Sequence, residues 1–116
     1  MAADSVVFVG WNKVYPGKEK EALEAFNASL GFWMKQVQSG NAESMEPVLL
    51  DRHGGDLNGF FLIRGNATKL NAILQTDEWR DLLIRADLHV DGIGVIAGFT
   101  GEGVMREMGR WQKAIS

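Results

Sequence analysis

Apolar spacing divides the chain into eight segments. "SVVFVGWNKVY", from Ser5, is rich in β-branched and aromatic residues, and Tyr15-Pro16-Gly17 closes it. That composition predicts a strand followed by a turn. Beyond the turn, Leu23, Phe26, Leu30, Trp33 or Met34, and Val37 recur every three or four residues. Glu19, Lys20, Glu21, Glu24, Asn27 and Lys35 fill the other side. The period predicts an amphipathic helix that ends at Ser39-Gly40. Gly31 inside it costs about 1 kcal/mol against alanine and is expected to serve close packing or a bend.

"MEPVLLDRH" reads as a second strand, with Pro47 near its start or at a sheet edge because proline has no N–H to donate. "GFFLIRG" reads as a third. Asn66 caps a short helix, "ATKLNAILQ", and Thr76-Asp77 opens a fresh one, "EWRDLLIRADL". The second helical region is therefore broken in two. "HVDGIGVIAGF" is the fourth strand, and its glycines suggest close approach of another backbone. "GEGVMREMGRWQKAI" sets Val104, Met108, Trp111 and Ile115 at helical spacing, which predicts a terminal amphipathic helix.

The order βαββαβ plus a helix predicts one α+β domain over residues 1–116, with a ferredoxin-like four-stranded antiparallel sheet and helices on one face. Alternation then raises a question. Val6 and Phe8 oppose Val7, Val9 and Trp11; Phe60 and Leu62 oppose Phe61 and Ile63; Ile93, Val95 and Phe99 oppose Ile96. Both faces are apolar, whereas a sheet open on one side shows polar residues there. A second copy packed sheet to sheet in a two-fold homodimer answers this. The alternative is a terminal helix folded back over the open face, and Trp111 can anchor either arrangement.

Composition narrows the function classes. The chain has 116 residues, 46% hydrophobic and 23% charged, which are ordinary globular values. A formal charge of -3 argues against nucleic acid, which needs clustered cations. The absence of cysteine excludes disulfides and thiolate chemistry. "MAADSVVFVG" lacks the basic start of a secretory signal, and no apolar run approaches the roughly 20 residues that span a bilayer. A cytoplasmic protein without membrane contact is the expectation.

Candidate chemistry is sparse. In "DRHGGD", Asp51 and His53 stand two apart at a strand end and so project to one side, where the carboxylate can set the imidazole tautomer for a general base. Arg52 points the other way. The structural alternative is a solvated hairpin turn, since Gly54, Gly55, Asp56, Asn58 and Gly59 are turn residues. Two distant histidines and no HxH or HExxH spacing give no metal site, and no cofactor is expected. "GFTGEG" lacks the lysine of a phosphate loop and reads as a turn. His89 suits the end of the broken helix, where a cation meets the negative end of the dipole. Trp11, Phe26, Phe32, Trp33, Phe60, Phe61, Trp79 and Phe99 come from helices and sheet together.

"LNAILQTDEWRDLLIRA", with Thr76, Asp77 and Trp79 opening its second half, resembles the interrupted second helix of the dimeric α+β barrel superfamily. Across nearly the whole chain the pattern is similar to that group, which includes antibiotic-biosynthesis-type monooxygenases and many uncharacterised proteins. The resemblance implies ferredoxin-like protomers whose sheets pair into a barrel. It also implies a ring-rich gap between sheet and helices that takes flat apolar ligands, with Trp11, Trp33, Phe61, Trp79 and His89 around it and Asn12, His53 and Arg64 as orienting polar groups. Haem-degrading members use an asparagine on the first strand with a tryptophan and a histidine near the second helix, and Asn12, Trp79 and His89 look like that set. Three readings follow: a homodimer binding an apolar or aromatic small molecule, a cofactor-independent monooxygenase-like enzyme acting on an aromatic substrate or haem, and an interaction module working through its terminal helix.

Overall fold

A computed structural model describes residues 3–116. Its elements run β1 (Ser5–Trp11), α1 (Glu19–Gln38), β2 (Ser44–Leu49), β3 (Gly59–Gly65), α2 (Ala67–Leu74), α3 (Asp77–Asp87), β4 (Gly94–Phe99) and α4 (Glu102–Ile115). The four strands form one sheet in the order β2-β3-β1-β4, and every neighbouring pair is antiparallel. The fold is α+β and ferredoxin-like, with the split-βαβ order that alternation and helical spacing predict. Pro47 lies on β2, an edge strand, where its missing donor costs the ladder least.

Capping fixes the broken helix. The Asn66 side chain accepts the Lys69 N–H at 3.1 Å, and the Thr76 hydroxyl accepts the Trp79 N–H at 3.3 Å. The Thr76 hydroxyl also donates to the Ile73 carbonyl at 2.7 Å, so one side chain closes α2 and opens α3.

The core lies between the sheet and α1 to α3. Val7 and Val9 of β1 and Phe61 and Ile63 of β3 point toward the helices and are buried. Trp33 of α1 is completely buried, at 0% exposure. Its ring lies 5.0 Å from that of Trp79 on α3 and 5.2 Å from Phe32. This aromatic wedge fastens α1 to α3 over the sheet.

The buried face of α1 differs from the apolar stripe seen in sequence. Ala22, Ala25, Ser29, Phe32 and Trp33 are buried, whereas Leu23 is 62% exposed and Met34 half exposed. At 100° per residue the packed face is rotated by about a quarter turn from the stripe of largest residues. Ala22, Ala25 and Ser29 face the sheet side, while the larger Leu23 is turned toward solvent. Two glycine expectations also change. No neighbouring atom lies within 4 Å of where a side chain would begin at Gly31 or Gly94, so neither serves close packing. Gly98 faces the Val6 side chain, whereas Gly92 meets the expectation, with Asn12 Cβ 3.1 Å and Asn12 N 3.8 Å from where its side chain would begin.

The second face of the sheet carries Val6, Phe8, Phe60, Leu62 and Ile96, with Phe8 and Phe60 stacked at 4.9 Å. α4 does not cover it. This helix packs extensively against none of the other elements, and Val104, Met108, Trp111 and Ile115 are all exposed. Its root is nevertheless built. Gly103 is buried against the Asp4 carbonyl, where any Cβ would strike backbone. Arg106 reaches the Asp4 carboxylate at 2.7 Å, and this hydrogen bond holds the Asp4 carboxyl below its usual 3.8. The bridge is therefore complete at neutral pH and is lost only as acid carries the pH through that lowered value. Gly103 and Arg106 face the protomer, so the apolar stripe, roughly 140° around the helix by the same 100° spacing, faces away from it.

The wedge makes a direct prediction. Trp33→Ala removes a fully buried indole and should lower stability by about 3–5 kcal/mol, read as a shifted urea midpoint. A loss below about 1 kcal/mol would show that the wedge does not hold the helices.

Candidate functional site

The seam that α1 turns toward the sheet changes size along its length. Ala22, Ala25 and Ser29 are small, whereas Phe32 and Trp33 are large. Where the seam is large it fills the space up to α3. Where it is small it leaves a cavity of about 450 Å³, within the range of small-molecule sites.

The cavity floor is Val9 and Trp11 of β1 with Phe61 of β3. One wall is α1, through Ala22, Ala25, Phe26 and Ser29; the opposite wall is α3, through Trp79, Leu82, Leu83 and Ala86. Val14, Glu19, Leu23 and Leu49 line it as well and are all exposed, so they mark the mouth. Trp11, Phe26 and Phe61 form a ring cluster with centroids 5.2–5.9 Å apart. Gly59 makes room for it: a Cβ there would sit 2.6 Å from the Trp11 ring.

The lining is nearly all apolar. Its polar side chains are Ser29, at 7% exposure, and Glu19, at the mouth. Glu19 accepts the Gly17 N–H at 3.2 Å. Among the described residues, no histidine, lysine or arginine lines the space. Such a lining offers burial and ring contact but few groups for proton transfer.

The sequence candidates divide accordingly. Trp11, Phe61 and Trp79 line the cavity together. Trp33 does not; it is sealed in the wedge, and its indole Nε1–H has no partner. Arg64 lies on the other face of the sheet, opposite Val6, with Glu46 3.8 Å away. The alternation of β3 sends it there, since Phe61 and Ile63 take the helix side. His89 is half-buried just past α3 with its Nδ1 unpartnered, and it is not part of the lining.

Asp51 and His53 are not brought together. β2 ends at Leu49, so residues 50–58 form a loop and the same-side argument for a strand fails. The loop folds around the imidazole. His53 Nε2 lies 2.6 Å from the Leu57 carbonyl, and His53 Nδ1 accepts the Gly55 N–H at 3.3 Å. This pattern fits the neutral tautomer with its proton on Nε2. Both ring nitrogens are occupied in an exposed turn, away from the cavity.

Asn12 is equally occupied. The Asn58 side-chain amide donates to Asn12 Oδ1 at 2.6 Å and to the Asn12 carbonyl at 2.9 Å. Asn12 Nδ2 donates to the Asp91 carboxylate at 3.2 Å, and its backbone N–H donates to the Asp91 carbonyl at 2.9 Å. It ties the end of β1 to the 50–58 loop and to the segment before β4. Among the described residues, no three His, Cys, Asp or Glu side chains gather as metal ligands.

Sequence reasoning passed over Ala22, Ala25 and Ser29, the residues that open the cavity. Their signal was present as three small side chains at spacings of three and four.

No family model and no curated protein matches the sequence. Solved structures do match in shape. A dimeric ferredoxin-like protein of unknown function from Bacteroides fragilis superposes with a TM-score of 0.59 at 11% identity, covering 83% of this chain and 96% of that one. An ethyl tert-butyl ether d (ethd) family protein from Bacillus halodurans gives 0.61 at 10% identity, with 84% and 99% covered. SnoaB, a cofactor-independent oxygenase from Streptomyces nogalater, gives 0.52 at 16% identity, with 85% and 93% covered. At these identities the likeness carries the fold and not the activity.

The occupied ring of His53 makes a test of the reactive-site reading. His53→Ala should cost less than about 1 kcal/mol, because the turn is exposed and its glycines remain. It should leave binding in the cavity unchanged, as titrated by tryptophan fluorescence. A tenfold loss of binding would return His53 to the site.

Proposed function

We propose that this protein is a cytoplasmic homodimer that binds a flat apolar or aromatic small molecule between its sheet and its helices. The observation that carries the binding role is the 450 Å³ cavity with rings from β1, β3, α1 and α3 in its walls. Burying a three-ring hydrocarbon there removes its apolar surface from water at little polar cost. Titration with phenanthrene should quench the fluorescence of Trp11 and Trp79 saturably. Absence of quenching across a series of three-ring compounds would overturn the binding role.

The homodimer rests on the uncovered sheet face. Phe8, Phe60, Leu62 and Ile96 form an apolar surface that a monomer would leave in water. The Bacteroides protein, described as dimeric, shares this fold. Two copies packed face to face bury both surfaces at once, and the outward stripe of α4 is assigned to the same second copy. Light scattering should give twice the protomer mass of 12.8 kDa. Deleting the chain after Thr100 should loosen the dimer. A dimer unchanged by that deletion would leave α4 to another partner, and a monomeric full chain would overturn the assembly itself.

A second reading, a cofactor-independent oxygenase, draws on the likeness in fold to SnoaB. Oxygen uptake with three-ring phenols tests it. The cavity lining supports binding better, because Glu19 is its one titratable side chain and already accepts a backbone N–H at the mouth.

A further inference from the structure

Ser29 is hard to explain as part of a folding core. It sits in the middle of α1, where serine is a poorer helix former than alanine. It is nine-tenths buried and is flanked on the same seam by Ala22 and Ala25. Alanine at this position would pack as well and would leave no hydroxyl to satisfy. Hydroxyls at the helix ends turn back to backbone carbonyls three residues earlier, Ser39 to Gln36 at 3.2 Å and Thr76 to Ile73 at 2.7 Å. Among the described residues the Ser29 hydroxyl has no such partner, and Ser29 forms part of the cavity wall. Its oxygen is not enclosed by protein, since the fully buried polar side-chain atoms without a partner are, among the same residues, those of Trp33 and His89, so solvent in the cavity reaches it. A bound molecule that displaces that solvent has to supply the hydrogen-bond partner in its place.

The rest of the lining limits what that molecule is. Trp11, Phe26, Phe61 and Trp79 give it ring faces. With no cation in the wall, a buried anionic group would have no counter-charge, and Glu19 at the mouth repels one. A hydroxyl both donates and accepts, so its partner is a phenolic hydroxyl or a ring carbonyl oxygen.

We propose that Ser29 is the specificity-determining residue of this cavity, taking the one buried oxygen of an uncharged, otherwise apolar polycyclic ligand. The proposal rests on the reading of the cavity as a ligand site and adds where the ligand's polar atom lies and what charge it carries.

The test uses the full chain and three probes of one skeleton: phenanthrene, 9-phenanthrol and phenanthrene-9-carboxylate. Dissociation constants come from tryptophan quenching. In the unaltered protein the phenol should bind best and the carboxylate worst. Ser29→Ala should bind phenanthrene as well or better. It should lower the phenol-to-hydrocarbon preference by about fivefold to tenfold, the worth of one hydrogen bond. Ser29→Thr, which keeps the hydroxyl, should retain the preference. The ratio between probes removes their different hydration from the comparison. An unchanged ratio in Ser29→Ala overturns the role of Ser29 and leaves the binding cavity standing. A carboxylate that binds as tightly as the hydrocarbon overturns the uncharged ligand. Failure of all three probes to bind the unaltered protein overturns this inference together with the binding role.

Discussion

The contact between Trp33 and Trp79, with Phe32 against both, determines most of what this protein can be. It joins α1 to α3 over the sheet at one end of the helical layer. Large rings at that end set the spacing between the layers, and side chains elsewhere either fill that spacing or leave it empty. Ala22, Ala25 and Ser29 leave it empty. The cavity is thus a consequence of a wedge at one end of α1 and small residues at the other. The cavity opens at a mouth of exposed residues, so a molecule can reach its apolar walls and displace solvent from them, which is the physical basis of the binding role proposed for it.

The sheet carries a second, independent constraint. With helices on one side only, its other side should be polar, yet Phe8 stacks on Phe60 there beside Leu62 and Ile96. The protomer also holds α4 away from its own body. The buried contact of Gly103 and the bridge from Arg106 to Asp4 fix that helix at its root with its apolar stripe outward. A fixed root and an unused stripe suit the proposed assembly of two chains. In that proposal binding and assembly use opposite faces of one sheet.

The polar residues that look reactive serve to shape loops. His53 uses both nitrogens to hold the 50–58 turn, and Asn12 ties three segments at the end of β1. Backbone groups in loops lack a strand or helix ladder and turn to side chains or to water. In a chain with two histidines and no cysteine, that demand falls on the same residue types that catalysis uses. Polar residues clustered near glycines are consequently a weak sign of chemistry in this fold.

Periodicity and residue type determined the element order, both caps of the broken helix and the two-sided apolar sheet, and limited Pro47 to a strand start or a sheet edge, of which the structure has the edge. Each of these is local, set by 3.6- or 2-residue repeats and by single side chains at helix ends. The family resemblance of the pattern, not the period, implied one gap ringed by Trp11, Trp33, Phe61 and Trp79, and of these Trp33 lies outside the lining. The packed face of α1 was not legible, because a hydrophobic stripe ranks residues by size while contact with a sheet ranks them by distance. Leu23 and Ser29 exchanged expected places for that reason. Alternation along β3 already set Arg64 on the face away from Phe61 and Ile63, whereas the fate of His53 depended on where β2 ends and that of Asn12 on partners tens of residues away. Only the tertiary structure could decide the last two, since sequence spacing fixes the direction of a side chain along its own element and says nothing of what stands opposite it.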